Sequence, residues 1–70
     1  MEEIYKGHLI QITVEKDDDV RPWNPTCRIL DGASLELIKQ FDWHVGYARP
    51  DQAEKIGLLL SKKWIDAGKL

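Results

Sequence analysis

Seventy residues carry twelve acidic and ten basic side chains, a net charge of −2, with 43% hydrophobic and 31% charged residues. That length holds one small domain spanning 1–70, and the composition is that of a globular chain, not a disordered one. The acidic balance argues against a dedicated polyanion binder, no apolar run approaches the roughly 18 residues of a membrane span, and Met1-Glu2-Glu3 lacks the basic, then apolar, pattern of a secretory leader.

The expectation is therefore a soluble cytoplasmic domain. A domain of this size buries only about 60% of its unfolded surface, so its stability is marginal. Cys27 is the single cysteine, which removes an internal disulfide and suits a reducing compartment. Self-association becomes the expected additional source of stability. Charge is uneven: residues 1–48 hold nine acids and five bases, a net −4, and residues 49–70 hold five bases and three acids, a net +2.

The first strand is expected over His8 to Glu15, where Ile10, Ile12 and Val14 share one face and Leu9, Gln11, Thr13 and Glu15 the other. Lys16-Asp17-Asp18-Asp19 reads as an exposed hairpin loop. A second strand runs from about Trp23 to Leu30, with Pro25 placing its start at an edge or bulge. Asp31-Gly32-Ala33-Ser34 supplies turn chemistry. A third strand covers about Leu35 to Asp42, with Leu37 and Phe41 on the core face.

Residues 43–48 form a connection. Pro50 then opens a helix, Asp51 complements its dipole, and Gly68 stops it. Ala53, Ile56, Gly57, Leu60, Trp64 and Ala67 make its expected buried stripe, with Gly57 allowing close packing on the sheet. Leu58, Leu59 and Ile65 flank that stripe. The architecture that follows is α+β: a three-stranded antiparallel meander with one C-terminal helix packed on one face, β-β-β-α.

One helix covers one face. Among the polar residues of the other face, Leu9, Leu30 and Ile38 are apolar and form a candidate interface, to which Trp43 and the helix flank Leu58, Leu59 and Ile65 are added. Lys55, Lys62 and Lys63 are candidate phosphate contacts, although they make no compact stripe on the helix.

Catalytic, cofactor and metal signals are weak. Asp17, Asp18 and Asp19 lack the spaced ligands and distal carboxylate of a calcium loop. His8, Cys27 and His44 lack the close pairing of a zinc site. Cys27 shares the parity of Ile29, so a core thiol is expected rather than a nucleophile. Trp23 and Trp64 are expected in the core rather than as stacking platforms for bases.

Tyr5-x-Gly7 opening the first strand, Trp23 opening the second, and a short helix with Ala53-x-x-x-Gly57 that ends in Trp64-Ile65-Asp66 resemble a group of small bacterial β-β-β-α proteins. They are similar to the domain of HlyU type, named for a hemolysin transcriptional activator. The resemblance spans about residues 4–67. It implies the same fold, a bacterial source and, through the activator name, a link to transcriptional control; it implies no catalytic residue. Arg49 and Pro50 stand where those proteins usually place Ser or Thr before the helix.

The functional expectation is a non-enzymatic protein-interaction module that self-associates as a homodimer or meets another protein, without cofactor or small-molecule substrate. The alternative is a nucleic-acid-binding or transcription-regulatory module. A chain this short leaves little room for a pocket of several hundred Å³.

Overall fold

The computed structural model describes residues 1–16, 23–42 and 46–68. Asp17, Asp18 and Asp19, expected in a hairpin loop, lie outside the described residues, as do Trp43, His44 and Lys69. Four strands, β1 (Glu2–Tyr5), β2 (His8–Lys16), β3 (Trp23–Asp31) and β4 (Leu37–Asp42), precede one helix, α1 (Pro50–Asp66). They form one antiparallel sheet in chain order, β1-β2-β3-β4. The class is α+β as expected, but the meander has four strands where the sequence pattern suggested three.

The additional strand is β1. A two-residue turn at Lys6 and Gly7, with φ of 50° and 80°, folds it back onto β2 so that Tyr5 pairs with His8. Two consecutive positive φ values match the right-handed twist of a hairpin, and Gly7 adopts one without steric cost. The pairing reaches the chain's first residue: Ile12 N–H donates to the Met1 carbonyl at 2.8 Å, and the Met1 ammonium donates to the Ile12 carbonyl at 2.7 Å.

Pairing of β2 with β3 is continuous from His8↔Asp31 to Lys16↔Trp23. Pro25 is accommodated within β3, paired with Val14. Between β3 and β4 the register shifts: Ile29 pairs with Lys39, but Leu30 pairs with Leu37, which leaves Ile38 as the extra residue of a bulge. Because the side-chain period of a strand is two, one extra residue moves everything before it to the other face. Leu37, expected beside Phe41 in the core, is thereby turned to the open face and is 45% exposed.

The preceding turn is fixed by Asp31, whose carboxylate accepts from the N–H groups of Ala33 and Ser34 at 2.8 and 2.9 Å. Those two bonds, Ser34's first, hold the Asp31 carboxyl below the usual carboxylate range. Leu35 closes the turn with φ of 61°, a conformation in which a branched side chain is strained.

The core lies between α1 and the face of β2 and β3 that carries Ile10, Ile12, Cys27 and Ile29. Each of these isoleucines contributes about 1.5–3 kcal/mol by leaving water. The helix begins at Pro50 after an extended Arg49 whose side chain makes no cap bond; it donates instead to Asp51 at 3.0 and 2.8 Å.

The centre of the helix contact is Ala53, Gly57, Ser61 and Ile65, four residues apart. This corrects the expected stripe: Ile65, placed on the flank, is a core residue at 8% exposure, while Ile56, Leu60 and Trp64 sit at the sides and Ala67 is exposed. Small residues bring the helix axis close to the sheet. A Cβ on Gly57 would stand 3.1 Å from Pro25 Cβ, 3.2 Å from Cys27 Sγ and 3.3 Å from Ile12 Cγ2, the close packing anticipated there. The Ser61 hydroxyl is buried and donates to the Gly57 carbonyl at 2.9 Å.

Candidate interaction surfaces

The pairing registers assemble the open face row by row, since partners across an antiparallel ladder point the same way. Ile4 pairs with Leu9, Leu9 with Leu30, and Leu30 with Leu37. One apolar side chain from each strand therefore lies in a single row across the sheet, about 14 Å from end to end at the usual strand spacing. Its ends are open to solvent, with Ile4 at 64% and Leu37 at 45% exposure, and its centre is dense, with Leu30 at 7%.

Ile38 in the bulge and Leu35 in the turn add exposed apolar surface at the same end of the sheet. Leu35 is 58% exposed although its backbone favours Gly or Asn. Neither the turn nor packing within the chain accounts for leucine there.

The next row is polar: Glu2, Gln11, Arg28 and Gln40. Gln11 donates to Glu2 at 2.6 Å. Arg28 stands in the middle of the face, and its Nε is buried without a hydrogen-bond partner. A buried donor left in this state is costly.

On the other side of the sheet the two flanks of α1 differ. The flank toward β1 is sewn down by charge. Lys62 pairs with Glu3 and lies over the Tyr5 ring, the Met1 ammonium is 4.0 Å from Glu54, and Asp66 accepts from Tyr5 and Lys6. The Lys6 bond, then the Tyr5 hydroxyl, holds the Asp66 carboxyl below its usual range, and Asp66 in turn raises Lys6.

The flank toward β4 is open. The helix rests on β2 and β3, so Leu60, Lys63, Trp64 and Ala67 face Lys39, Phe41 and Asp42 across a cleft of about 430 Å³. The expectation that so short a chain lacks a pocket of this size is thus corrected. The cause is the rotation of the helix stripe, which brings small residues over β3 and leaves the bulky ones walling a trough.

The candidate residues therefore fall in different places. Leu9 and Leu30 share the open-face row, Ile38 lies beside it, and Leu58 packs against the core. Leu59 is exposed on the helix, away from that row, and Ile65 is core. Trp43 lies outside the described residues. Lys55 is exposed, Lys62 is held by Glu3, and Lys63 borders the cleft, so the three lysines make no common patch.

Ile4 and Arg28 are not among the sequence candidates, and Leu37 joins the row from an expected core position. Ile4 precedes the Tyr5-x-Gly7 turn, and that turn was the signal for its strand. Cys27 is fully buried, with Sγ 3.5 Å from the Gly57 carbonyl, and burial pushes its thiol pKa up. Among the described residues no three His, Cys, Asp or Glu side chains gather as a metal site, and no helix is long and apolar enough to cross a membrane. Comparison with family models, with curated proteins and with solved structures finds no match for the chain.

Proposed function

We propose that this domain is a non-enzymatic protein-interaction module that pairs with a second copy of itself through the open face of its sheet. The row Ile4–Leu9–Leu30–Leu37 carries the reading. A two-fold axis parallel to the strands lays Ile4 of one copy over Leu37 of the other and Leu9 over Leu30, apolar on apolar along the whole row. The same rotation sets Gln11 over Arg28, with Glu2 one strand away, and so offers acceptors to the guanidinium.

Four strands of about six residues present a footprint of roughly 400 Å² per copy, at the low end of specific interfaces. The association is accordingly weak and concentration-dependent. It supplies apolar burial that a domain of this size lacks, and it fits a cytoplasmic compartment in which Cys27 stays reduced.

Sedimentation velocity over a range of concentrations tests the reading. Wild type is expected to shift from monomer toward dimer, and Leu37→Asp to remain monomeric with an unchanged circular dichroism spectrum. A wild type that stays monomeric at millimolar concentration overturns self-association. Salt-sensitive binding to duplex or single-stranded probes, lost on reversing Lys55 and Lys63, would favour the nucleic-acid alternative instead.

A further inference from the structure

We propose that the cleft between α1 and β4 binds a small amphipathic carboxylate, its apolar body against Phe41, Leu60 and Trp64 and its carboxylate between Lys39 and Lys63. The cleft is on the helix side of the sheet, opposite the self-association face, and the inference goes beyond that reading.

Shape gives the first argument. At about 430 Å³ the cleft falls within the range of roughly 300–1,000 Å³ that small-molecule sites occupy. Its walls come from two regular elements: Phe41 and Lys39 from β4, paired with Cys27 and Ile29, and Leu60, Lys63 and Trp64 from the last turns of α1, with Ala67 just after it. Phe41 and Trp64 are half-buried against the core, so the aromatic walls are preformed.

Charge gives the second. On the β1 flank, Lys6, Lys62 and the Met1 ammonium all have carboxylate partners. Among the described residues the Lys39 and Lys63 ammonium groups have no ion pair and no side-chain hydrogen bond, yet both border the same apolar cleft. Asp42 is the single acid of the lining, which leaves a surplus of one positive charge. That balance suits a monoanion with an apolar body. A neutral ligand leaves the two lysines unmatched, and a dianion meets Asp42.

The test uses octanoate and 2-naphthoate as probes, with octanol and 2-naphthalenemethanol as neutral counterparts, followed by heteronuclear NMR including the indole N–H signals. The Leu37→Asp background keeps dimerisation from shifting the same resonances. Saturable shifts centred on Phe41, Leu60 and Trp64 are expected with the acids. The double variant Lys39→Glu, Lys63→Glu is expected to weaken acid binding by about tenfold or more and to leave the alcohols unchanged. Both lysines are exposed, so this variant retains the fold. Binding by octanoate alone identifies a chain-shaped ligand, and by naphthoate alone a ring-shaped one; either supports the site. Alcohols binding as tightly as acids, acid affinity unaltered in the double variant, shifts centred on the open sheet face, or no saturable shift up to about 10 mM would overturn it.

Discussion

The phenolic oxygen of Tyr5 lies 2.9 Å from both carboxylate oxygens of Asp66, joining the end of β1 to the last turn of α1 across 61 positions of sequence. With Lys6 and Lys62 beside it, this contact makes the β1 flank the fastened side of the domain, while the β4 flank carries the open cleft.

Tyr5→Phe should therefore lower the urea midpoint while leaving the denaturant slope unchanged, because one contact is lost and the exposed area on unfolding is not. An equal midpoint in the two proteins would mean that the Asp66 contact adds nothing beyond ring packing.

The same carboxylate predicts a pH dependence. The folded-state pKa of Asp66 is depressed, chiefly by Lys6 and then by Tyr5, so its stabilisation is complete above the ordinary value near 3.8 and is lost as pH falls through the lower folded value. Asp31 and Asp51 act in the same direction through their own partners. Stability measured against pH should be flat at neutrality and fall below about pH 4, and Asp66→Asn should make that fall shallower. An identical acid limb in the variant would remove the assignment.

Gly57→Ala poses opposite effects. Alanine favours the helix by about 1 kcal/mol, but overpacking a tight core contact costs about 1–3 kcal/mol. Contacts of 3.1 to 3.3 Å to Pro25, Cys27 and Ile12, all held in central strands, decide for a net loss. Cys27→Ala in the Gly57→Ala background should recover part of it, as a double-mutant cycle by urea denaturation can measure.

Leu35→Asn should stabilise the monomer by about 1 kcal/mol, since asparagine accepts the left-handed conformation that leucine resists. The same substitution should weaken dimerisation, because it removes exposed apolar surface beside the Ile4–Leu37 row. A gain in stability with unchanged sedimentation would separate Leu35 from the interface.

The sequence was most legible where pattern and environment agree. Alternation of Ile10, Ile12 and Val14 marked β2, and Pro50 and Gly68 bracketed the helix. Strand β1 was not seen because two of its four residues are acids; Glu3 points to the helix side and finds Lys62, a partner that only the tertiary structure brings near. Local alternation puts Leu37 on the core face because it does not report the bulge at Ile38, which depends on how β4 registers with β3. The helix stripe was displaced toward the larger residues, since periodicity rewards Leu60 and Trp64 whereas close approach to β3 rewards Ala53, Gly57 and Ser61. The cleft follows from that displacement and was for the same reason invisible. Of the open-face row, Leu9 and Leu30 are legible in the alternation; Ile4 and Leu37 join it only through the strand pairing.

Cys27 gives the domain a built-in clock. The chain has one thiol, it has no exposed surface, and burial against Gly57 keeps it protonated. An alkylating reagent can reach it only when α1 lifts from β2 and β3, so the labelling rate counts those openings. Because the two surfaces lie elsewhere, an occupant that steadies the helix slows the clock without touching the sulfur, and ligand or partner can be timed in unmodified protein.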